Sequence, residues 1–196
     1  MLKRSIDLVG ALLLLILASP LLAVIAVALR LEGYGPVLYR SPRVGRAGKP
    51  FSLLRFRTML DTPAPRSAEQ RLTPVGRLIR NISLDDLPNL VNVLRGEMSL
   101  VGPRPMEPER VDLAAPAWQR ILSVRPGLVS FAILQLARRY NASDAAIKNA
   151  LELRYVQQRS LGYDLALFRR ALRALVASHG NIKARGAPAA DPDSVD

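Results

Sequence analysis

The chain has 196 residues, about one domain's length. Cysteine is absent and His179 is the sole histidine, which excludes a disulfide scaffold, a cysteine-type zinc site, a cysteine nucleophile and a multi-histidine metal centre. A formal charge of +12 in a chain that is 49% apolar excludes a disordered basic tail; it calls for an anionic partner, whether nucleic acid, an anionic membrane surface or a phosphorylated substrate.

Leu8 to Leu29 is a run of 22 residues without a charge. As one helix it would be about 33 Å long, enough to cross a hydrocarbon core of roughly 30 Å. It is too long for a signal peptide and lacks a small-residue cleavage site. Ser19-Pro20 falls near its middle. Proline removes a backbone hydrogen bond and clashes with the preceding turn. The Ser19 hydroxyl is suited to satisfy a carbonyl freed in this way. Two arrangements fit the run: a kinked single span with its flanks on opposite sides, and a re-entrant helix that enters and leaves the same leaflet. Lys3 and Arg4 precede the run; Arg30, Arg40, Arg43, Arg46 and Lys49 follow it. Basic flanks prefer the cytoplasm, which favours both ends being cytoplasmic.

Gly33-Tyr34-Gly35-Pro36 is a breaker cluster. Residues 37–40 and 51–56 are predicted strands, joined by a turn at 45–48 into a basic hairpin. Its Arg40, Arg43, Arg46 and Lys49 are expected to face an anionic leaflet. Residues 62–68 are proline-rich and expected to form a mobile loop. Residues 73–80 read as a short helix that leaves Arg77 and Arg80 available to anions. Leu84, Leu87, Val91 and Leu94 recur at helical spacing. Ser83 with Asp86 three residues on suggests a capping box, while Pro88 argues for a start near residue 87. Either start leaves Asp85 and Asp86 at the positive end of a helix.

Two further helices are expected over 145–160 and 164–177. In the second, Leu165, Phe168, Leu172, Leu175 and Val176 form a stripe read as core-facing, with a headgroup-lying helix as the alternative. The fold class is α/β in the α+β sense, helix-rich with a small hairpin or sheet. No regular strand–helix alternation supports a doubly wound sheet.

The chemistry concentrates in Asp85-Asp86 and Gly102-Pro103-Arg104-Pro105. Adjacent carboxylates at a helix start commonly only stabilise that end, by a few tenths to about 1 kcal/mol. Here they are followed by an arginine fixed between two prolines. Such an arginine presents a planar fork of donors suited to phosphate oxygens. Carboxylates beside it suggest a metal-assisted phosphate site, because Mg²⁺ is held by hard oxygens together with substrate phosphates.

With these motifs the chain resembles the bacterial sugar transferases, specifically the small monotopic phosphoglycosyl transferases. The resemblance spans about Lys3 to Leu175. It rests on Lys3-Arg4-Ser5-Ile6-Asp7, Ser19-Pro20, Gly35-Pro36-Val37, Arg43 through Phe51, Arg55 through Met59 and, most strongly, Ser83 through Pro105. It implies a re-entrant helix over 1–32 broken at Ser19-Pro20 and a catalytic domain over 33–182; the acidic stretch 183–196 beyond it is expected to be a disordered tail. It places the protein on the cytoplasmic face of a bacterial inner membrane, among its phospholipids, with both termini cytoplasmic. The implied reaction moves a sugar 1-phosphate from a nucleoside diphosphate sugar, usually a UDP-sugar, to polyprenyl phosphate and releases UMP. This step initiates exopolysaccharide or glycoconjugate assembly.

By position Asp85 matches the nucleophile and Asp86 the Mg²⁺-binding acid. Arg80 and Arg104 match phosphate-holding positions, and Arg55 and Arg125 complete the expected substrate-binding set. The resemblance also makes a homodimer an expectation. Two departures stand out: Asp85-Asp86 replaces the usual Asp-Glu, and Val129-Ser130-Phe131-Ala132-Ile133 replaces the usual continuation after Arg125-Pro126-Gly127-Leu128. A catalytically silent membrane-bound relative that scaffolds an assembly complex is the alternative reading. Nucleic-acid binding is not expected, because aromatic residues make up only 5% and the apolar run would be misplaced in such a protein.

Overall fold

A computed structural model of the chain describes residues 2–60 and 71–180. The expected loop over 62–68 and the expected tail over 183–196 lie outside the described residues. The elements are α1 (Leu2–Leu31), β1 (Leu38–Val44), β2 (Pro50–Phe56), α2 (Pro74–Asn81), α3 (Asn89–Arg95), β3 (Ser99–Val101), α4 (Pro116–Ile121), β4 (Gly127–Val129), α5 (Phe131–Leu136), α6 (Ala145–Gln158) and α7 (Leu161–Gly180). The strands form two small sheets, an antiparallel β1–β2 hairpin and a parallel β3–β4 pair. The expected fold class holds.

The run 8–29 lies inside α1, which continues through Ser19 and Pro20 without interruption. The expected break is therefore a missing hydrogen bond and not a gap in the helix. Pro20 has no N–H to offer the carbonyl four residues back, that of Ile16. The Ser19 hydroxyl donates to that same Ile16 carbonyl at 2.8 Å, so the freed acceptor is satisfied locally. Among the described residues α1 is the one helix long and apolar enough to cross a membrane. Leu14 and Leu15 still pack on the main core and Leu22 on a second cluster, while between them Ile16, Leu17 and Leu21 are exposed.

Both ends of α1 are docked on the rest of the chain. Near its start, Asp7 is buried and accepts from the Ser99 hydroxyl (2.8 Å) and the Leu100 N–H (3.2 Å). Arg4 donates to the carbonyls of Val93 (2.8 Å) and Leu94 (3.3 Å), at the negative end of α3. Lys3 pairs with Asp164 of α7 at 2.5 Å, and Asp164 also accepts from the Tyr155 hydroxyl at 2.8 Å. Near the end of α1, buried Arg57 donates to the Leu29 carbonyl at 2.7 Å. Ile25 and Leu29 pack with Phe56 of β2 and Ile79 of α2. The main core gathers Ala11 of α1, Leu53 of β2, Leu90 and Val93 of α3, and Tyr155 and Leu167 from the last two helices.

The hairpin forms where predicted, though β1 runs on to Val44. Beyond the core packing, the buried Asn92 of α3 hydrogen-bonds the edge of β2. Asn92 accepts from the Leu54 N–H (3.1 Å) and donates to the Ser52 carbonyl (2.7 Å) and Glu97 (2.6 Å). It thus serves as one more rung on the free edge of that strand.

The capping box at Ser83 does not form. Ser83 has φ 57, a left-handed conformation, whereas a helix-capping residue is normally extended. Helix α3 begins only at Asn89 after Pro88, and residues 85–88 are turns. The stripe on α7 is met in part: Phe168 packs against the main core, Leu165 and Leu172 are exposed, and Asp164 and Leu167 are buried.

Candidate active site

Two short elements bring the carboxylates to the end of the hairpin. Helix α2 starts at Thr73, whose side chain accepts from the Gly76 N–H at 2.9 Å, with Pro74 pre-set for the first turn. It ends in the left-handed Ser83, which reverses the chain. Asp85 then accepts the Phe56 N–H on its backbone carbonyl at 3.0 Å, and the turn from Asp86 leads into α3.

Asp85 and Asp86 are both half-buried. Burial first, and then the charge of Asp86, push the Asp85 carboxyl up to about 6, against the opposing pull of Arg55 and Arg80. Arg55 Nε lies 2.7 Å from Asp86 Oδ1, an ion pair whose N–H is not aligned on the oxygen. Asn89 Nδ2 donates to the same oxygen at 3.3 Å. Arg80, exposed at the end of α2, reaches Met59 Sδ at 3.5 Å.

Arg104 is held on a separate segment. Parallel pairing of β3 with β4 continues into the loops beyond them: Gly102 N–H donates to the Val129 carbonyl (3.0 Å) and Gly127 N–H to that of Pro103 (2.8 Å). A side chain on either glycine would run into the other's backbone. This interlock fixes the Gly-Pro-Arg-Pro segment. Val44 N–H binds the Met106 carbonyl at 3.0 Å, which brings the segment beside β1. There Arg43 pairs with Glu107 at 3.1 Å. Burial lowers the Arg43 guanidinium most, Glu107 pulls it back, and the charges of Arg55 and Arg104 lower it further. Arg43 is therefore not free to face a leaflet as its sequence position suggested.

The structure thus gathers Asp85, Asp86, Arg55 and Arg80, with Arg43 within electrostatic reach of both Arg55 and Arg104. Arg125 is not brought there. Its Nε donates to the Gly96 carbonyl at 2.8 Å, at the far end of α3 from the carboxylates. Together with Arg4 it caps that helix.

Sequence reasoning missed Glu152 of α6, which is 5% exposed. Its Oε1 accepts from the Arg104 N–H (3.0 Å) and the Ser130 hydroxyl (2.6 Å). Burial pushes its carboxyl up to about 7, against those two hydrogen bonds. The available signal was a carboxylate three residues before the core tyrosine, Tyr155, on a helix.

Among the described residues no group of three or more His, Cys, Asp or Glu side chains is arranged to hold a metal by protein ligands alone. Mg²⁺ rarely requires such a cage, and one or two carboxylates with substrate phosphates commonly serve. Asp85 and Asp86 fit that role, because their mutual repulsion is what a divalent cation would relieve.

A carboxylate pair beside arginines, on a domain that carries an apolar helix, is an arrangement suited to phosphorylated substrates. The chain belongs to the bacterial sugar transferase family, whose model matches residues 1–178. It is 37% identical over 187 residues to a UDP-glucose:undecaprenyl-phosphate glucose-1-phosphate transferase of Caulobacter vibrioides, covering 90% of this chain and 70% of that protein. It is 35% identical over 202 residues to the exopolysaccharide production protein ExoY of Rhizobium meliloti, covering 92% and 88%. It is also 32% identical over 187 residues to the UDP-N-acetylgalactosamine-undecaprenyl-phosphate N-acetylgalactosaminephosphotransferase of Aeromonas hydrophila. That match covers 91% of this chain and only 44% of the longer relative.

Proposed function

We propose that the protein transfers a sugar 1-phosphate from a UDP-sugar to polyprenyl phosphate, at the start of exopolysaccharide or glycoconjugate assembly. The observation that carries this reading is the half-buried Asp85, held under Arg55 and Arg80 beside Asp86. A poorly solvated carboxylate near arginines is suited to attack a phosphorus whose oxygens those arginines bind.

In the first step an Asp85 carboxylate oxygen bonds to the β-phosphorus. The bond from that phosphorus to the oxygen bridging the two phosphates breaks, and UMP leaves with the electron pair. In the second step an oxygen of polyprenyl phosphate bonds to the same phosphorus. The Asp85–phosphorus bond breaks, which releases polyprenyl diphosphate sugar and restores the carboxylate. Neither step requires a proton to move. Arg55 and Arg80 hold the reacting phosphate, and Arg104 holds the remainder of the anion through its rigid segment. Mg²⁺, when held by Asp86 with Asp85, supplies further neutralisation of phosphate charge.

The proposed placement is the cytoplasmic face of the inner membrane, with α1 re-entrant over about residues 1–32 and the domain of 33–182 outside the bilayer. Support comes from the docking of both ends of α1 on one domain, with Ile16, Leu17 and Leu21 between them left exposed. A homodimer remains part of the proposal on family grounds alone. The decisive assay is UMP release from a panel of UDP-sugars with polyprenyl phosphate in detergent. Wild-type protein should release UMP and Asp85→Asn should not; turnover by the variant would remove Asp85 as nucleophile.

A further inference from the structure

Arg104 borders a second feature, away from the carboxylate pair. Between α4, α6 and the segment after Gly102 lies a cavity of about 240 Å³, with Arg104, Trp118, Tyr140, Lys148, Asn149 and Glu152 in its walls. It is smaller than the roughly 300–1,000 Å³ typical of whole-ligand pockets, so it suits one ring of a substrate. Two cations lie against the Tyr140 ring there: Arg104 Cζ is 5.2 Å and Lys148 Nζ 4.9 Å from its centre. They confer an affinity for anions. Glu152 supplies the opposite chemistry. The hydrogen bonds from the Arg104 N–H and the Ser130 hydroxyl fall on Oε1, the Ala132 N–H also favours the charged carboxylate, and Oε2 is buried with no hydrogen bond of good geometry. A buried carboxylate oxygen without a donor costs free energy unless something supplies one. A wall of cations with one unsatisfied acceptor matches a ligand that carries both a phosphate and a hydroxyl.

We propose that this cavity is the second half of the substrate site, receiving a hydroxyl-bearing ring joined to a phosphate. The ring hydroxyl donates to Glu152 Oε2, Asn149 borders the ring, and Arg104 with Lys148 holds the phosphate. Ser130 sets the position of Glu152, and it lies in the segment 129–133 where the chain departs from the family pattern. Selection of the ring therefore runs through that departure. The inference rests on the proposed transferase reading, since both the sugar and the ribose of a UDP-sugar are such rings.

The chain's single tryptophan, Trp118, is in the cavity wall and reports on its occupancy. Full-length protein in detergent is titrated with UMP, glucose 1-phosphate and inorganic phosphate while its fluorescence is followed. One of the two ring phosphates should saturate the signal at least tenfold more tightly than inorganic phosphate, and which one does so assigns the ring. Glu152→Gln should remove that advantage while leaving inorganic phosphate binding unchanged. Lys148→Ala should weaken both. Should Glu152→Gln fail to fold, Asn149→Ala, at the half-buried wall, makes the same test. Equal binding of all three probes, or an advantage untouched by these variants, overturns the proposal. If UMP release occurs but no ring phosphate changes the signal, the cavity assignment fails and the transferase reading stands. If a ring phosphate binds selectively but no UDP-sugar is turned over, the transferase reading fails instead.

Discussion

At the residue scale the site rests on carboxylates held outside their ordinary range. Glu152 has a folded value of about 7 against an ordinary 4.5. Between those values the folded state binds more protons than the unfolded state. Stability from this group is therefore fully present below about pH 4.5 and is lost as pH rises through about 7. Glu152→Gln keeps an oxygen to accept from Arg104 and Ser130 but does not titrate. Its Tm in detergent should fall less than the wild type's between pH 4.5 and 7; parallel curves would show that burial does not govern this carboxylate. At Asp86 the missing methylene, relative to the usual glutamate, shortens the reach toward a cation. UMP release should stop in EDTA and return with excess Mg²⁺, and full activity in EDTA would remove the metal from the site. The Asp85-Asp86 pair and Arg104 were legible in the sequence because short motifs carry them. Glu152 and Arg43 were not, because their roles arise from tertiary neighbours distant in the chain, Ser130 and Glu107.

At the element scale, local chemistry was legible and pairing was not. The hairpin and α2 announce themselves through turn residues and a Thr-Pro start. The parallel β3–β4 pair has only three residues in each strand, too few for a periodic signal. The stretch 84–94 shows helical spacing, yet residues 85–88 are turns and the helix starts only at Asn89, because Pro88 and the left-handed Ser83 override the pattern. That detour places Asp85 in a half-buried turn beside Arg55 and Arg80 and not in a regular helix. The register of α3 on β2 depends on Asn92, which is fully buried. Asn92→Leu would leave the Leu54 N–H and the Ser52 carbonyl without partners. At about 1–3 kcal/mol for each orphaned group, it should destabilise the protein by about 3 kcal/mol and lower Tm by ~6–12 °C. UMP release should drop with it, since α3 carries the carboxylate turn. An unchanged Tm would show that the strand edge finds water instead.

For the whole molecule, the opposition between net charge and apolar content resolves in space. The apolar surplus lies on the exposed middle of α1, and much of the positive charge lies on the domain at its two ends. A straight helix of 30 residues would be about 45 Å long, longer than the roughly 30 Å hydrocarbon core, so length alone permits a span. The contacts argue against it. Crossing the bilayer would separate Lys3, Arg4 and Asp7 from α7, α3 and β3, or else separate Leu29 from Arg57. Either choice leaves buried charges without partners, which costs several kcal/mol for each. Both flanks of the helix are basic as well, so neither is favoured for export. The chain has no cysteine, which allows single-cysteine labelling without a prior substitution. Leu2→Cys and Leu31→Cys replace exposed residues at the two ends, and Leu17→Cys replaces an exposed one in the middle. With a membrane-impermeant maleimide, both end positions should react in inside-out vesicles and neither in right-side-out ones. Cys at 17 should be protected by lipid in both and react after detergent is added. Reaction of positions 2 and 31 from opposite sides would make α1 a span, and would require one of its two docked ends to detach from the domain.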